Sequence, residues 1–166
     1  NATPIITDLA SMKGWVIDQM PESYPRFVPG HPIAGSENSG VMAARADLFV
    51  GREAILTPDA STDPEAVKWV TAMWESVGSR VTVMSAIDHD AALAASSHSP
   101  HMLAYALTMA LANDPLNPMR HGGGALRDMT RIAASDPVMW RDVALTNKGS
   151  LIDALTAAED QLAVLK

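Results

Sequence analysis

The stretch Asp63-Pro64-Glu65-Ala66-Val67-Lys68-Trp69-Val70-Thr71-Ala72-Met73-Trp74-Glu75-Ser76-Val77-Gly78-Ser79-Arg80-Val81-Thr82-Val83-Met84 decides the fold of the first half of this chain. It reads as one helix and then one strand. Asp63 stands at the cap position and Pro64 in the first turn, the ordinary start of a helix. Val67, Val70, Met73, Trp74 and Val77 recur at helical spacing and form an apolar stripe. Gly78 closes the helix, and the β-branched run after it suits a strand. Upstream, Pro4 to Asp8 reads as a short strand, and Met12 to Gln19 as a helix with Ser11 as its N-cap. Pro21 and Pro25 end that helix. Arg26-Phe27-Val28 forms a second strand, which runs into Pro29-Gly30-His31-Pro32. Residues 35–51 read as a loop with a short helical turn, and Glu53 to Thr57 as a third strand. The outline β-α-β-β-α-β predicts a parallel or mixed α/β sheet.

After Met84 the texture changes, and no further strand is predicted. Ser85 caps a helix running to about Ser97. Ser99-Pro100 starts another, apolar on nearly every side through Met102, Leu103, Ala104, Ala106, Leu107, Met109, Ala110 and Leu111. A helix of that kind needs burial all round, so an oligomer is expected. Asp114 to Gly124 is loop, Ala125 to Ala134 is helical, Ser135-Asp136-Pro137 starts the next helix, and Leu151 to Leu165 makes the last. The chain therefore divides into an α/β segment, 1–84, and an all-α segment, 85–166.

The bulk properties narrow the function classes. The 166 residues carry a formal charge of −7 and no basic stripe, which disfavours nucleic acid as a partner. At 48% hydrophobic and 19% charged the chain can bury a core and is not a disordered protein. It has no cysteine, which excludes a disulfide scaffold, a thiolate metal site and a cysteine nucleophile. The apolar run around residues 102–112 is short of the ~20 residues a bilayer span requires. The first residues lack the basic and apolar regions of a secretory signal. They also lack a starting Met, which reads as a fragment or a processed product.

Five histidines offer chemistry. His31 stands at a strand end beside small residues, where α/β proteins place ligands, and an imidazole suits proton transfer near neutral pH. His98-Ser99-Pro100-His101 has the H-x-x-H spacing of a weak metal motif, without H-E-x-x-H or cysteine to support it. His101, set in an apolar helix, needs a polar partner. Gly122-Gly123-Gly124 invites a phosphate-loop reading, but no strand precedes it and no Gly-Lys-Ser/Thr follows, which favours a flexible loop leading into a helix. Arg127 and Arg131 share a helix face, and either side chain could clamp a carboxylate through its planar fork or form a solvated, salt-bridged face.

The motifs together resemble a family. His31-Pro-Ile-Ala-Gly-Ser-Glu37-x-Ser-Gly40, Leu48-Phe49, Ile55-Leu-Thr-Pro58, His89-Asp90 and Ser97-His98-x-Pro-His101 stand in order along the chain. Gly123-Gly124-x-x-Arg127-Asp128-x-Thr-Arg131-Ile-Ala-x-Ser135-Asp136-Pro-x-Met-Trp140-Arg141-Asp142 completes the series. This pattern resembles the prephenate/arogenate dehydrogenases of tyrosine biosynthesis. The resemblance implies an α+β fold: the residual α/β edge of a dinucleotide-binding domain, then a helical dimerisation domain. It implies NAD- or NADP-dependent oxidative decarboxylation of prephenate to 4-hydroxyphenylpyruvate, in a cytoplasmic homodimer with no nucleic-acid or membrane partner and no metal.

Residue by residue, the resemblance makes His31 the acceptor of the substrate hydroxyl proton and Ser11 the group that orients it. Arg131 becomes the carboxylate clamp, His101 a second active-site histidine, Asp128 its carboxylate partner and Glu37 an acidic gate. Gly124 and Trp140 fall at pocket positions. The chain departs from the family in one respect. No strand followed by G-x-G-x-x-G occurs, so no cofactor-binding residue is assigned. The expectation is a chain inactive by itself, or, as the alternative, a non-catalytic dimerisation and carboxylate-binding module.

Overall fold

The computed structural model describes residues 3–20, 24–35 and 40–166. The chain falls into two compact units, the first ending at Asp90 and the second running from Ala91 to Lys166.

The first unit contains β1 (Ile6–Thr7), α1 (Lys13–Asp18), β2 (Phe27–Val28), β3 (Gly30–Pro32), β4 (Glu53–Leu56), α2 (Pro64–Ser76) and β5 (Arg80–Val83). Strands β1 and β2 pair in parallel, Ile6 opposite Phe27. A second sheet has the order β3-β4-β5. Strand β4 runs antiparallel to β3, with His31 opposite Ile55, and parallel to β5, with Ile55 opposite Thr82. The sheet is thus mixed. The predicted strands are present but shorter, and β3 is an addition: His31 lies inside a strand rather than in the loop after one. The cause is Pro29, which interrupts the pairing of β2 and lets the next three residues pair with β4 instead.

Helix α2 starts where its sequence predicts, with Asp63 accepting a hydrogen bond from the Glu65 amide. Its buried face is the series Ala66, Val70 and Trp74. The predicted stripe is turned slightly, so that Met73 and Val77 are each 42% exposed. Ala66, Val70 and Trp74 pack on Val28, Ala54 and Leu56, and Phe49 meets Trp74 edge to face at 5.2 Å. Burying an aromatic pair of this kind contributes about 0.5–1.5 kcal/mol beyond the area removed from water. Gly78 ends α2 with φ of 88°, a value that disfavours any side chain.

Ser11 does not cap α1. The cap position is Met12, and the first amides are satisfied from elsewhere: Lys13 N and Gly14 N donate to the two oxygens of Asp90, each at 2.9 Å. A carboxylate from another element replaces the local hydroxyl, as an orphan helix N-terminus accepts any well-placed anion.

Helix α3 (Ala86–Leu93) carries the division between the units. The second unit continues with a π-helical turn (Ala94–His98), α4 (Ser99–Ala112), a 3₁₀ turn (Pro118–His121), α5 (Gly124–Ala133), α6 (Pro137–Thr146) and α7 (Lys148–Leu165). The break predicted between Ser97 and Ser99 is this π turn, so the backbone stays helical into α4. Pro100 is tolerated because it stands in the first turn of α4. Helix α4 packs on α5 and α7, and α6 on α7. Tyr105 Oη donates to the Ser135 carbonyl at 3.2 Å, fastening α4 to the turn before α6. Asp136 caps α6 by accepting from the amides of Val138 and Met139. Helix α7 begins at Lys148, three residues ahead of its predicted start.

Candidate active site

In the first unit a polar network surrounds His31. Lys13 is fully buried, and its Nζ forms an ion pair with Asp8 Oδ1 and donates to the Gly30 carbonyl at 2.5 Å. Asp8 Oδ2 accepts from the Gly30 amide at 3.1 Å. The peptide groups that flank His31 on its N-terminal side are therefore held from Asp8 and Lys13. On the ring side, His31 Nδ1 lies 2.9 Å from His89 Nε2, and His89 Nδ1 lies 2.7 Å from Asp90 Oδ1. His89 is itself 0% exposed.

The charges follow from these contacts. Burial pushes the Lys13 ammonium below its ordinary pKa, and the Asp8 bond and charge offset only part of that. Burial pushes the Asp90 carboxyl up. The His89 bond and the amides of Lys13 and Gly14 together outweigh it, and Asp90 is held below the usual carboxylate range. Gly14 permits the approach, since a Cβ there would stand 3.0 Å from Asp90 Oδ2.

Ser11 is half-buried in a bend two residues before α1. No hydrogen bond between Ser11 and His31 is among those described. Glu37 lies outside the described residues. A groove of about 360 Å³, lined by Ile17, Tyr24, Phe27, Thr57 and Thr62 among others, opens in the same unit and includes neither His31 nor Ser11.

In the second unit the centre is aromatic. Trp140 of α6 is buried and stacks on His101 of α4 with ring centroids 3.6 Å apart and planes 21° from parallel. His98 meets Trp140 edge-on at 5.9 Å and lies 3.3 Å from Asn147 Nδ2 through its Nδ1. His101 Nδ1 takes the Ser97 carbonyl at 2.9 Å. The expected pairing of Asp128 with His101 is replaced. His101 meets its need for a partner on its own helix, and Asp128 Oδ1 lies 3.9 Å from Arg131 Nη2. The same contact places a carboxylate beside Arg131 within the chain. Spacing explains it, because Asp128 and Arg131 are three apart on α5 and share a face. Arg131 and Asp128 are exposed at 57% and 73%. Gly124 is exposed as the first residue of α5. His89 and Asn147 were missed as site residues. Nothing local marks either; only the His89-Asp90 pair stood out in sequence.

In the first unit the N-termini of α1 and α2 are closed to a dinucleotide pyrophosphate. The first amides of α1 are taken by Asp90, and α2 opens on the carboxylate of Asp63. A diphosphate needs open amides and no facing anion. Among the described residues no cluster of three or more His, Asp or Glu could hold a metal ion, and no helix is long and apolar enough to cross a membrane.

A small mixed-sheet unit followed by a helical unit is the order of the two-domain dehydrogenases. Residues 1–83 match the nucleotide-binding domain of prephenate dehydrogenase and residues 85–166 its dimerisation domain. The cyclohexadienyl dehydrogenase of Zymomonas mobilis is 41% identical over 91% of this chain and 54% of its own length. The prephenate dehydrogenase of Bacillus subtilis is 39% identical over 90% of this chain and 42% of its own. The crystal structure of prephenate dehydrogenase from Aquifex aeolicus, in complex with hydroxyphenyl propionate and NAD+, superposes with a TM-score of 0.90 at 41% identity. It covers 97% of this chain, which covers 58% of that one. The chain belongs to the prephenate dehydrogenase family, and it spans about half the length of the curated relatives it matches.

Proposed function

We propose that this chain carries the proton-accepting and carboxylate-binding groups of an NAD(P)-dependent prephenate or arogenate dehydrogenase acting in tyrosine biosynthesis. Family membership supports the reaction class. The observation that carries the assignment to residues is the ring of His31, engaged at Nδ1 by His89 Nε2. We assign the substrate contact to the other ring nitrogen, Nε2.

The conversion takes prephenate to 4-hydroxyphenylpyruvate and carbon dioxide. A hydride leaves the ring carbon that bears the hydroxyl, the bond to the ring carboxylate breaks, and the ring becomes aromatic. Nε2 of His31 takes the hydroxyl proton as the carbon–oxygen double bond forms, and returns it to the phenol oxygen on aromatisation. A base with a pKa near the working pH is suited to both directions. Ser11 orients the histidine and the hydroxyl. The substrate carries two carboxylates, and the guanidinium of Arg131 binds one of them through two parallel bonds. By the family resemblance His101, Trp140, Gly124 and Asp128 are further substrate-binding residues, and Glu37 is an acidic gate. NAD or NADP is the hydride acceptor of the family. No G-x-G-x-x-G occurs in these residues, so the chain alone is expected to bind substrate analogues without reducing cofactor.

Residues 85–166 build a homodimer in this reading. In the single chain Leu107 and Met109 of α4 are 39% and 65% exposed, and Leu162, Val164 and Leu165 of α7 are exposed too. A stable interface covering them should bury above ~2,000 Å², and light scattering that finds a monomer at micromolar concentration would overturn it. The enzyme is placed in the cytoplasm. The functional reading is tested by calorimetry with 4-hydroxyphenylpyruvate. Binding by the chain that Arg131→Ala weakens by about tenfold or more and Arg141→Ala preserves supports it; equal affinity in the chain and Arg131→Ala refutes it. Measurable NAD(P) reduction with prephenate would show that the chain has a cradle of its own.

A further inference from the structure

We propose that His89 and Asp90 are positioning residues for His31, fixing which ring nitrogen of His31 accepts the substrate proton. The proposal rests on the dehydrogenase reading of His31, and deepens it by naming what sets the base in its acceptor form.

The three side chains form a line in which each contact constrains the next. Asp90 Oδ1 accepts from the Lys13 amide and Oδ2 from the Gly14 amide, so the carboxylate is anchored against the first turn of α1. An ionised carboxylate only accepts, and His89 Nδ1 at 2.7 Å must therefore carry a proton. A neutral imidazole with its proton on Nδ1 has a lone pair on Nε2. That lone pair faces His31 Nδ1 at 2.9 Å, so His31 in turn carries its proton on Nδ1. The acceptor nitrogen of His31 is then Nε2. Without His89 nothing in this line dictates the tautomer, and a ring protonated on Nε2 cannot accept a proton there.

The line also stiffens. His89 is 0% exposed, its ring 5.1 Å from that of His31 and 64° from its plane. When His31 takes a proton, its Nδ1–H still donates to His89, and the new charge is matched by Asp90 at the far end. Asp8 and Lys13 pair with each other and hold the Gly30 peptide. Backbone and ring of His31 are thus fixed from α1 by separate contacts. Because Ser11 stands two residues before α1, the proton acceptor and the serine assigned to orient it are both referred to the start of that helix.

The test reads protons rather than turnover. Long-range proton–nitrogen NMR of the labelled chain near neutral pH is expected to show His31 and His89 both protonated on Nδ1 and not on Nε2. His89→Phe keeps a flat ring in the buried site and removes the acceptor, so His31 should lose its single tautomer and show the Nε2–H form. His89→Gln, whose carbonyl can accept from His31 Nδ1–H, should restore the locked signal at least in part. A purely structural His89 would leave the His31 signal unchanged in a folded His89→Phe protein, and that result overturns the proposal. If His89→Phe does not fold, the wild-type spectrum still decides: His31 protonated on Nε2 overturns it. A locked His31 in a chain that binds no 4-hydroxyphenylpyruvate leaves the positioning intact and removes the dehydrogenase reading instead.

Discussion

The two units of this chain hold their histidines in opposite ways. In the first, His31 and His89 sit in a buried line of directed hydrogen bonds that ends on an anchored carboxylate. In the second, His101 lies flat against Trp140, and the charged residues nearby on α5 are exposed. A hydrogen-bonded line specifies a proton position and tolerates little change, since each buried polar group left unpaired costs about 1–3 kcal/mol. A stacked pair specifies a surface and tolerates partial replacement. The proton transfer proposed for His31 needs the first kind of contact, and the ligand binding proposed for the second unit needs the second.

The largest effect expected tests how much the first unit depends on its core. Trp74→Ala empties the space between α2 and β4 and should cost about 3–5 kcal/mol in denaturant unfolding. A loss below about 1 kcal/mol would mean that the sheet rests on something other than this helix. Next comes the anchored carboxylate. Asp90→Asn should cost about 1–3 kcal/mol near neutral pH by disturbing three buried bonds. The pH dependence has a definite sign. Asp90 has its folded pKa below the unfolded value of 3.8, so its contribution is present above that value and lost as pH falls through the folded pKa. The wild-type chain should therefore lose stability below about pH 4, and Asp90→Asn should lose less over that interval. Parallel acid limbs would show that Asp90 is not ionised by this network. Smaller again is the stack: a double-mutant cycle of His101→Ala with Trp140→Ala should give a coupling of about 0.5–1.5 kcal/mol.

These contrasts also explain what could be read without coordinates. Helix α2 and strand β5 were legible because cap, stripe and closing glycine are all local. The start of α6 was legible for the same reason, in Ser135-Asp136-Pro137. Strand β3 was hidden because three residues that follow one proline and end in another show no period, and its pairing with β4 is made across some twenty intervening residues. Ser11 looked like a cap because a serine before a helix ordinarily is one, whereas the group that caps α1 stands 76 residues away in Asp90. The family pattern drew His31, His101, Arg131 and Trp140 out of the sequence, and the Trp140–His101 stack is now seen. It could not show that Asp128 would turn to Arg131, because a partner three residues away on the same helix competes with a distant one at little cost in chain entropy.

Arg131 should show the smallest effect on stability, and it separates the two units most sharply. Its guanidinium is 57% exposed and its contact to Asp128 is 3.9 Å, too long and too wet for a strong ion pair. Arg131→Ala should therefore change unfolding free energy by no more than about 0.5 kcal/mol. The same substitution should weaken a carboxylate ligand by about 1.5–3 kcal/mol, roughly 10- to 150-fold in Kd, because a charge-assisted bond to the ligand is lost. Arg131→Lys should recover only part of that, since an ammonium lacks the planar two-pronged donor set. Asp128→Asn removes the neighbouring anion and should tighten carboxylate binding slightly if the guanidinium is the clamp. Calorimetry on the four proteins reads all three differences in one series. A large loss of stability in Arg131→Ala with ligand affinity unchanged would make the residue a brace of α5 and move the carboxylate site elsewhere.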